Sequence, residues 1–151
     1  MSKQQWGNAV WYLFHTLAAK LRPEYNGAAP VILHYFKNIC STLPCPTCSQ
    51  HAMHNLRTMG NRRVTNKDEL AHFVYDLHNR VNVQLHKPKM SIAECKKKYY
   101  YANTRNIILN FKKYMTLNRS NPKLMLGNQN QKSNVNMLLS WLQINMYLFY
   151  P

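Results

Sequence analysis

Apolar residues recur at three- and four-residue steps over most of the chain, and this spacing predicts amphipathic helices. The first stretch covers residues 6–21 and carries Phe14, Leu17 and Leu21 on one face. Pro23 follows it as a breaker. No stretch shows the alternation of apolar and polar residues that indicates a half-buried strand, so the pattern favours an all-α fold.

Breakers divide the next part of the chain into two more helices. Residues 30–43 form the second predicted helix, which Pro44 ends. The third is predicted to begin at Cys45 and to end near Met59 and Gly60, because glycine is a frequent residue just past a helix C-terminus.

Capping residues mark two later helices. Thr65 with Asp68 is typical of a capping box and opens a fourth helix, and Ser91 with Glu94 opens a fifth that runs to about residue 117. We therefore predict that residues 1–117 form one domain, a small four- or five-helix bundle.

The last part of the chain divides into two segments of different composition. Residues 118–134 are rich in Asn, Gln and Ser and are predicted to be a polar linker. Residues 135–151 carry two interleaved apolar stripes and are predicted to form a C-terminal apolar helix, an extension of the bundle. Such a wide apolar face needs cover from its own domain, from a second subunit or from a partner.

The net charge and the number of cysteines exclude some classes of protein but do not identify a function. Twenty Lys and Arg against five Asp and Glu give a net charge of +15, which attracts polyanions, phosphorylated cofactors, acidic partners or anionic membranes. Four cysteines in 151 residues are too few for a disulfide scaffold. We see no signal peptide and no run of about 20 apolar residues, so we expect neither secretion by a standard route nor a membrane span.

The sequence Cys45-Pro46-Thr47-Cys48 carries the strongest chemical signal in the chain. Two thiols three positions apart at the start of a helix can exchange one disulfide with a substrate. Pro46 suits the first helical turn, and the helix N-terminus with nearby cations stabilises a thiolate. In a chain that is not secreted, such a pair is more typical of redox catalysis than of a structural cross-link.

A polar string on the fourth predicted helix contains a second group of candidate binding residues, His78, Asn79, Asn82 and Lys87. His78 and Asn82 are four residues apart and therefore share one helix face. Imidazole, amide and ammonium groups together suit a ligand with an aromatic ring and phosphates. The spacing alone also fits a solvated polar face.

Trp11 and His15 lie four residues apart on the first predicted helix, where such a pair is more typical of a core contact than of a ligand site. In order along the chain, however, the three groups resemble the motifs of the Erv/ALR family of FAD-linked sulfhydryl oxidases. The matching strings are Trp-x3-His-Thr from Trp11, Leu-Pro-Cys-Pro-Thr-Cys from Leu43 and His-Asn-x-Val-Asn-x2-Leu-x-Lys-Pro from His78. The resemblance covers residues 6–101.

The resemblance implies a helical bundle that cups FAD, usually as a homodimer, and a role for each matching residue. Cys48 corresponds to the cysteine against the isoalloxazine ring, and Cys45 to the outer cysteine that exchanges with the substrate. The other matches correspond to flavin-pocket residues or to adenine, ribose and phosphate contacts: Trp11, His15, His78, Asn79, Asn82 and Lys87. Tyr99 falls where cellular members place a tryptophan against the adenine, and Tyr100 or Tyr101 are alternatives for that place. No metal site is implied.

The activity that the resemblance implies is FAD-dependent thiol oxidation. Such an enzyme forms disulfide bonds in protein substrates and passes the electrons through the CxxC pair and FAD to O2, which gives hydrogen peroxide. Since the chain has no second CxxC to act as a shuttle, the expected immediate substrate is a redox protein with its own CxxC. Cys40 and Cys95 are expected to be unpaired and without a catalytic role. We expect no nucleic-acid partner.

Several positions depart from the pattern of the cellular members. Asn8 stands where they often have Arg, His51 stands where they tend to have an acidic residue, and only Cys95 follows the Lys-Pro motif, where they carry further cysteines. The chain resembles the oxidases of large DNA viruses in its short N-terminus, in Trp6-Gly7-x3-Trp11, in the string Ser41-Thr42-Leu43-Pro44-Cys45-Pro46 and in His51. This resemblance implies the host cytoplasm or the virion, with the mitochondrial intermembrane space as the alternative for a cellular protein.

Two other functions also fit parts of the pattern. Cys45, Cys48, His51 and His54 lie at three-residue steps, which together with the basic charge would suit a zinc-binding module associated with nucleic acid. Structural zinc sites normally separate two ligand pairs by a longer loop, however, and one short helical run can hardly surround a tetrahedral ion. A thioredoxin-like reductase also contains Cys-Pro-x-Cys, but it needs strand–helix–strand units that the helical periodicity does not predict.

Overall fold

The computed structural model describes residues 2–116 and 125–151. In this part of the chain seven α-helices follow one another: α1 (Lys3–Lys20), α2 (Ala29–Ser41), α3 (Pro46–Met59), α4 (Lys67–Gln84), α5 (Ile92–Tyr100), α6 (Thr104–Met115) and α7 (Met125–Asn145). Short 3-10 turns lie at Pro23–Ala28 and Met146–Leu148. The described residues form no strand beyond one isolated bridge between Leu21 and Phe149. The predicted all-α fold is confirmed.

α1 lies at the centre of the bundle, where it packs against α4, α5 and α6. Its predicted apolar face is buried at Phe14 and Leu17, and Leu13 is buried as well. Phe73 of α4 and Phe111 of α6 belong to the same buried cluster. Burying one such side chain contributes roughly 1.5–3 kcal/mol, so this stripe fixes the orientation of α1. Within the described ranges no helix has the length and hydropathy needed to cross a membrane.

The start of α4 differs from the predicted capping box. The N-cap is Asn66, not Thr65, and its side-chain oxygen accepts a hydrogen bond of 2.8 Å from the backbone N–H of Glu69. Thr65 instead donates its backbone N–H and its hydroxyl to the Glu69 carboxylate. Asn is the stronger capping residue of the two, and Asp68 takes no part in the cap.

The predicted fifth helix is in fact two helices. α5 ends at Tyr100, and α6 begins after Asn103, whose side chain accepts a hydrogen bond of 2.9 Å from the backbone N–H of Asn106. The prediction of one continuous helix to residue 117 was therefore wrong. An asparagine in extended conformation competes with helix continuation because it satisfies the first free N–H groups of a new helix.

The C-terminal helix is longer than predicted. α7 begins at Met125, so residues 125–134 of the predicted linker are helical, whereas 118–124 lie outside the described residues. Gln and Asn lower the intrinsic helix preference by well under 1 kcal/mol per residue, and packing outweighs so small a cost. Val135, Leu138 and Leu142 belong to the same buried cluster as α1, so the chain itself covers this stripe. Met137 and Ile144 of the other stripe are exposed.

α7 lies along the outer face of α2 and runs antiparallel to it. The amide of Asn134 donates to the backbone oxygen of Asn38 at 3.1 Å and to the Thr42 hydroxyl at 2.9 Å. Further along, the ring of Trp141 lies 5.4 Å from that of Tyr35. The two contacts fix the register of α7 against α2.

The chain end ties α1 to α6. The backbone N–H of Arg22 donates to Leu148, and that of Tyr150 donates to Lys20, both at 2.8 Å. The hydroxyl of Thr104, the first residue of α6, donates to the backbone oxygen of Tyr150 at 2.7 Å. The last residues therefore brace the end of α1 that lies beyond His15.

Candidate functional site

Cys45 and Cys48 are joined by a disulfide at the N-terminus of α3. Cys45 is the N-cap, and its Sγ accepts a hydrogen bond of 3.2 Å from the backbone N–H of Cys48. Pro46 occupies the first helical turn, as its missing N–H allows. Both sulfur-bearing residues are half-buried. The positive end of the α3 dipole and the Cys48 N–H would stabilise a thiolate at Cys45 after reduction.

The segment before the disulfide is held by Ser49, a buried residue one position beyond Cys48. Its hydroxyl accepts a hydrogen bond of 2.7 Å from the backbone N–H of Leu43, and its own N–H donates to the backbone oxygen of Cys45 at 3.0 Å. Ser49 thus ties the start of α3 to Leu43, which precedes the redox pair.

α3 and α4 run antiparallel, which brings the disulfide to the end of α4. The amides of Asn55 and Gln84 exchange two hydrogen bonds of 3.0 and 3.2 Å, and one turn further along α3 the Thr58 hydroxyl accepts from Arg80 at 3.2 Å. Cys48 precedes Asn55 by two helical turns, about 10 Å along the axis. The redox pair therefore lies toward the C-terminal end of α4.

Four of the predicted cofactor residues form one aromatic cluster, which we call the ring cluster: Trp11, His15, His78 and Tyr99. The rings of Trp11 and His78 stack with centroids 4.0 Å apart and a 5° angle between planes, and those of His15 and Tyr99 stack at 4.3 Å and 7°. His15 Nε2 and His78 Nδ1 are 2.8 Å apart, a hydrogen bond between the two stacks. The cluster joins α1, α4 and α5.

Tyr99 is the member of its tyrosine run that belongs to the ring cluster. It is buried, whereas Tyr100 and Tyr101 are exposed, the latter by 77%. Tyr12 packs edge-on against Tyr99 with centroids 5.3 Å apart, and the Lys98 ammonium lies 4.8 Å from the centre of the Tyr12 ring. Of the three tyrosines, Tyr99 is thus the one that stacks on His15, whereas Tyr100 and Tyr101 contact each other.

Cys95 contacts the ring cluster, which the sequence analysis missed. Its Sγ lies 3.3 Å from His15 Nδ1, and the residue is only 6% exposed. Cys95 precedes Tyr99 by four residues on α5, so the two share a face. That spacing is the sequence signal that could have placed Cys95 beside the other residues.

The two histidines of the ring cluster are neutral at pH 7. Burial, and then the charges of Lys98 and Lys87, lower the pKa of His78 to about 4. Burial, and then His78 and Lys98, hold the pKa of His15 well below its usual range. Burial also raises the pKa of Tyr99. The cluster is thus an uncharged aromatic surface with two ammonium groups close to it.

Asn79 and Asn82 hold the segment that follows α4. The Asn79 side chain donates to the backbone oxygen of Met90 at 3.1 Å and accepts from the Met90 N–H at 3.0 Å. Asn82 donates to the Asn79 oxygen at 3.4 Å, and its backbone oxygen accepts from the Lys87 N–H at 2.8 Å. These contacts fold the segment back over α4 and fix the backbone of Lys87, whose side chain is exposed.

A buried hydroxyl near His15 has no partner among the described residues. Thr16 is fully buried, and its Oγ1 makes no hydrogen bond there. Buried polar atoms are normally paired, so this hydroxyl is an exception within α1.

Cys40 is a packing residue, separate from the redox pair. It lines a small apolar cavity together with Phe14, Phe36 and Phe73, and the cavity holds about 10 Å3, the room of one water molecule. Burial raises the pKa of its thiol to about 12. Cys40 and Cys95 are both free thiols, as the sequence predicted.

The ligand cluster that a zinc site needs is absent from the described part of the chain. No group of three His, Cys, Asp or Glu residues there lies close enough to hold a metal ion. His51 and His54 are exposed on α3, and the disulfide occupies both sulfur atoms of Cys45 and Cys48.

Comparison with known proteins gives one family and several relatives. The Erv1 / Alr family model matches residues 8–100. A candidate FAD-linked sulfhydryl oxidase of Invertebrate iridescent virus 3 is 32% identical over 96 residues, which are 62% of this chain and 65% of that protein. The mitochondrial FAD-linked sulfhydryl oxidase of Saccharomyces cerevisiae is 30% identical over 87 residues, 57% of this chain and 46% of that protein.

A second candidate oxidase, from Invertebrate iridescent virus 6, is 28% identical over 108 residues, which cover 64% of this chain and 93% of that protein. The chain thus spans most of this relative but less than two thirds of the one from Invertebrate iridescent virus 3. No solved structure matches the chain.

Proposed function

Because the chain belongs to the Erv1 / Alr family, we propose that it is an FAD-dependent thiol oxidase that forms disulfide bonds in protein substrates and passes the electrons to O2. The observation that carries this proposal is the Cys45–Cys48 disulfide at the N-terminus of α3, at the end of α4 that bears Asn82. The redox pair and the polar motif of α4 thus both lie toward the C-terminal end of α4.

The residues present fit FAD, which combines aromatic rings with a diphosphate. The ring cluster offers aromatic faces for stacking, worth roughly 0.5–1.5 kcal/mol for each ring pair beyond burial. Lys87 and Lys98 supply positive charge beside His78. When bound, FAD would accept an electron pair from the reduced cysteines and pass it to O2, which gives hydrogen peroxide.

The cysteine pair carries out the thiol chemistry. A substrate thiolate attacks Cys45 Sγ, the Cys45–Cys48 bond breaks, and Cys48 leaves as a thiolate. A second substrate thiolate then attacks the substrate sulfur of the mixed disulfide and releases Cys45 as a thiolate. The Cys48 N–H and the α3 dipole favour this second departure. The substrate loses two electrons, and the cysteine pair gains them.

The substrate class follows from the cysteine count. Of the four cysteines, only Cys45 and Cys48 form a CxxC pair, so no second pair in this sequence can relay electrons. We propose a protein dithiol, such as a redox protein with its own CxxC, as the direct substrate and a homodimer as the active form. The viral relatives support the host cytoplasm or virion as the location, and the yeast relative supports the mitochondrial alternative.

Oxygen consumption by the FAD-loaded chain in the presence of a dithiol tests this proposal. The wild-type chain and Cys40→Ala should consume O2 and form hydrogen peroxide, because Cys40 lies in the core away from the disulfide. Cys48→Ser should bind FAD without consuming O2, and Cys45→Ser should lose turnover with protein thiols. Full oxygen uptake by Cys48→Ser would overturn the proposal.

A further inference from the structure

Three side chains from three helices form a continuous hydrogen-bonded chain, which we call the thiol–imidazole chain. Cys95 Sγ of α5 lies 3.3 Å from His15 Nδ1 of α1, and His15 Nε2 lies 2.8 Å from His78 Nδ1 of α4. Both ring nitrogens of His15 are therefore engaged. Of the four ring nitrogens, only His78 Nε2 has no hydrogen-bond partner among the described residues.

The number of protons limits how this chain can be arranged. A neutral imidazole carries one N–H, and a thiol carries one S–H. Burial raises the pKa of the Cys95 thiol and lowers the pKa of both imidazoles, so all three groups are neutral at pH 7. Each of the two hydrogen bonds then needs one donor and one acceptor.

Two arrangements satisfy this requirement. In the first, the Cys95 thiol donates to His15 Nδ1, His15 donates from Nε2 to His78 Nδ1, and His78 carries its proton on Nε2. In the second, His78 donates from Nδ1 to His15 Nε2, and His15 donates from Nδ1 to the Cys95 sulfur. The proton of the thiol then has no acceptor among the described residues. A thiol is both a weak donor and a weak acceptor, so burial decides between the two. Cys95 is buried, and the second arrangement leaves its S–H without an acceptor in the described part of the chain, whereas His78 is only partly buried and its Nε2–H in the first arrangement can reach solvent. The first arrangement is therefore favoured.

We propose that Cys95 is a positioning residue, whose S–H fixes the tautomer of His15 and through it that of His78, so that His78 presents an Nε2–H donor to the ligand of this site. As a consequence, the site would distinguish ligands by whether they place a hydrogen-bond acceptor or a donor opposite His78 Nε2. The site would offer a hydrogen-bond donor to an acceptor atom on the edge of an aromatic ligand, and would disfavour a ligand with a donor at that place. This ligand preference rests on the proposed function, whereas the tautomers do not.

Ring stacking fixes the orientation of the two imidazoles but not their tautomers, so the Cys95 thiol is the group that selects the tautomer of His15. Tyr99 lies flat on His15, and Trp11 lies flat on His78, so packing fixes both ring planes. Ring stacking does not distinguish which nitrogen carries the proton. Cys95→Ala removes the donor, whereas Cys95→Ser keeps a donor in a similar volume, which makes the two a matched pair.

The first test is the position of the ring protons in the ligand-free, full-length chain at pH 7. A long-range 1H–15N spectrum shows which nitrogen of each imidazole carries the proton, and His15→Gln and His78→Gln assign the signals. The wild-type chain should carry both protons on Nε2, and so should Cys95→Ser. Cys95→Ala should populate the other tautomer. An Nδ1 proton on either ring of the wild-type chain would overturn the proposal, as would unchanged tautomers in Cys95→Ala.

The second test is FAD affinity, measured by equilibrium titration of the same three proteins. Cys95→Ala should bind FAD about tenfold more weakly, the typical effect of one net hydrogen bond, and Cys95→Ser should restore most of the affinity. Equal affinity in all three would overturn the link from Cys95 to the ligand. If the wild-type chain bound no FAD at all, the proposed function would fail, while the tautomer result would still decide the role of Cys95.

Discussion

Replacing Leu138 of α7 by alanine should lower the free energy of unfolding by about 3 kcal/mol, within the roughly 2–5 kcal/mol range of buried Leu→Ala changes. Leu138 is 0% exposed and belongs to the same buried cluster as Leu13 of α1 and Ile32 of α2. Val135 and Leu142, the neighbouring positions on α7, are also buried. These two residues hold α7 on both sides of position 138, so the helix cannot move inward to fill the cavity that Leu138→Ala would leave.

Urea unfolding measures this effect, and α7 provides its own control. Ile144 lies on the same helix but is 76% exposed, so Ile144→Ala should change the free energy of unfolding by less than about 0.5 kcal/mol. In a thermal scan, Leu138→Ala should lower Tm by about 6–12 °C, since 1 kcal/mol shifts Tm by roughly 2–4 °C at this size. Far-UV circular dichroism and tryptophan fluorescence should report a single coincident transition.

The result decides whether the C-terminal helix is part of the bundle's core. The family match ends at residue 100, so α7 lies outside the part of the chain that the family pattern describes. If Leu138→Ala were as stable as Ile144→Ala, or if α7 unfolded in a transition of its own, the reasoning from burial would be refuted. α7 would then be a separate appendage.

Acid, protease and alkylating agent probe three other features of the molecule. The pKa of His78 is about 4 in the folded chain and about 6.5 when unfolded, so the unfolded state binds the extra proton between these values. From pH 6.5 to pH 4 His78 should therefore lower the free energy of unfolding by roughly 2 kcal/mol, and His15, whose pKa is lowered as well, adds a fall of the same sign. Asn79→Ala removes the two hydrogen bonds that hold the segment after α4, so trypsin should cleave after Lys89 several-fold faster. In the reduced native chain, iodoacetamide should modify the CxxC pair and spare the buried Cys40 and Cys95.

Each of these predictions has a control. His72 is exposed on the same helix as His78, so His72→Gln should keep the wild-type pH profile. His78→Gln should lose the part of the fall that His78 contributes, and identical profiles in the two variants would contradict the assignment. Asn61→Ala, at an exposed loop position, should not change the trypsin rate, and an equal effect of both asparagine variants would count against the bracing role. In urea, iodoacetamide should modify all four cysteines. Labelling of Cys40 in the native chain would contradict its assignment as a buried residue.

Local sequence patterns predicted the parts of the site that lie on single helix faces. The four-residue steps from Trp11 to His15 and from His78 to Asn82 placed these residues on α1 and α4, and the structure brings Trp11, His15 and His78 together. The capping signal of Ser91 with Glu94 is also confirmed, with both hydrogen bonds of the box present. These features depend on periodicity and on contacts over three or four residues.

Contacts between distant segments escaped prediction. Cys95 and His15 are 80 residues apart. The four-residue step from Cys95 to Tyr99 puts the two on one face of α5, but no local pattern predicts that this face meets His15. Asn79 was expected on the helix face, but its partner Met90 depends on how the following segment folds back. The length of α7 likewise depends on burial against α2, because its polar first half has no apolar periodicity of its own. Tertiary packing decides all three.

The central claim is that the Cys45–Cys48 pair exchanges electrons with a bound flavin, and an anaerobic dithiol titration of the FAD-loaded chain tests it most directly. The account predicts that in the wild-type chain the yellow absorbance of the bound flavin disappears with at most two dithiols per flavin, because the Cys45–Cys48 disulfide and FAD accept one electron pair each. It also predicts that Cys48→Ser binds FAD and stays yellow. A chain that takes up no flavin, or a Cys48→Ser variant that bleaches as fast as the wild type, would contradict it.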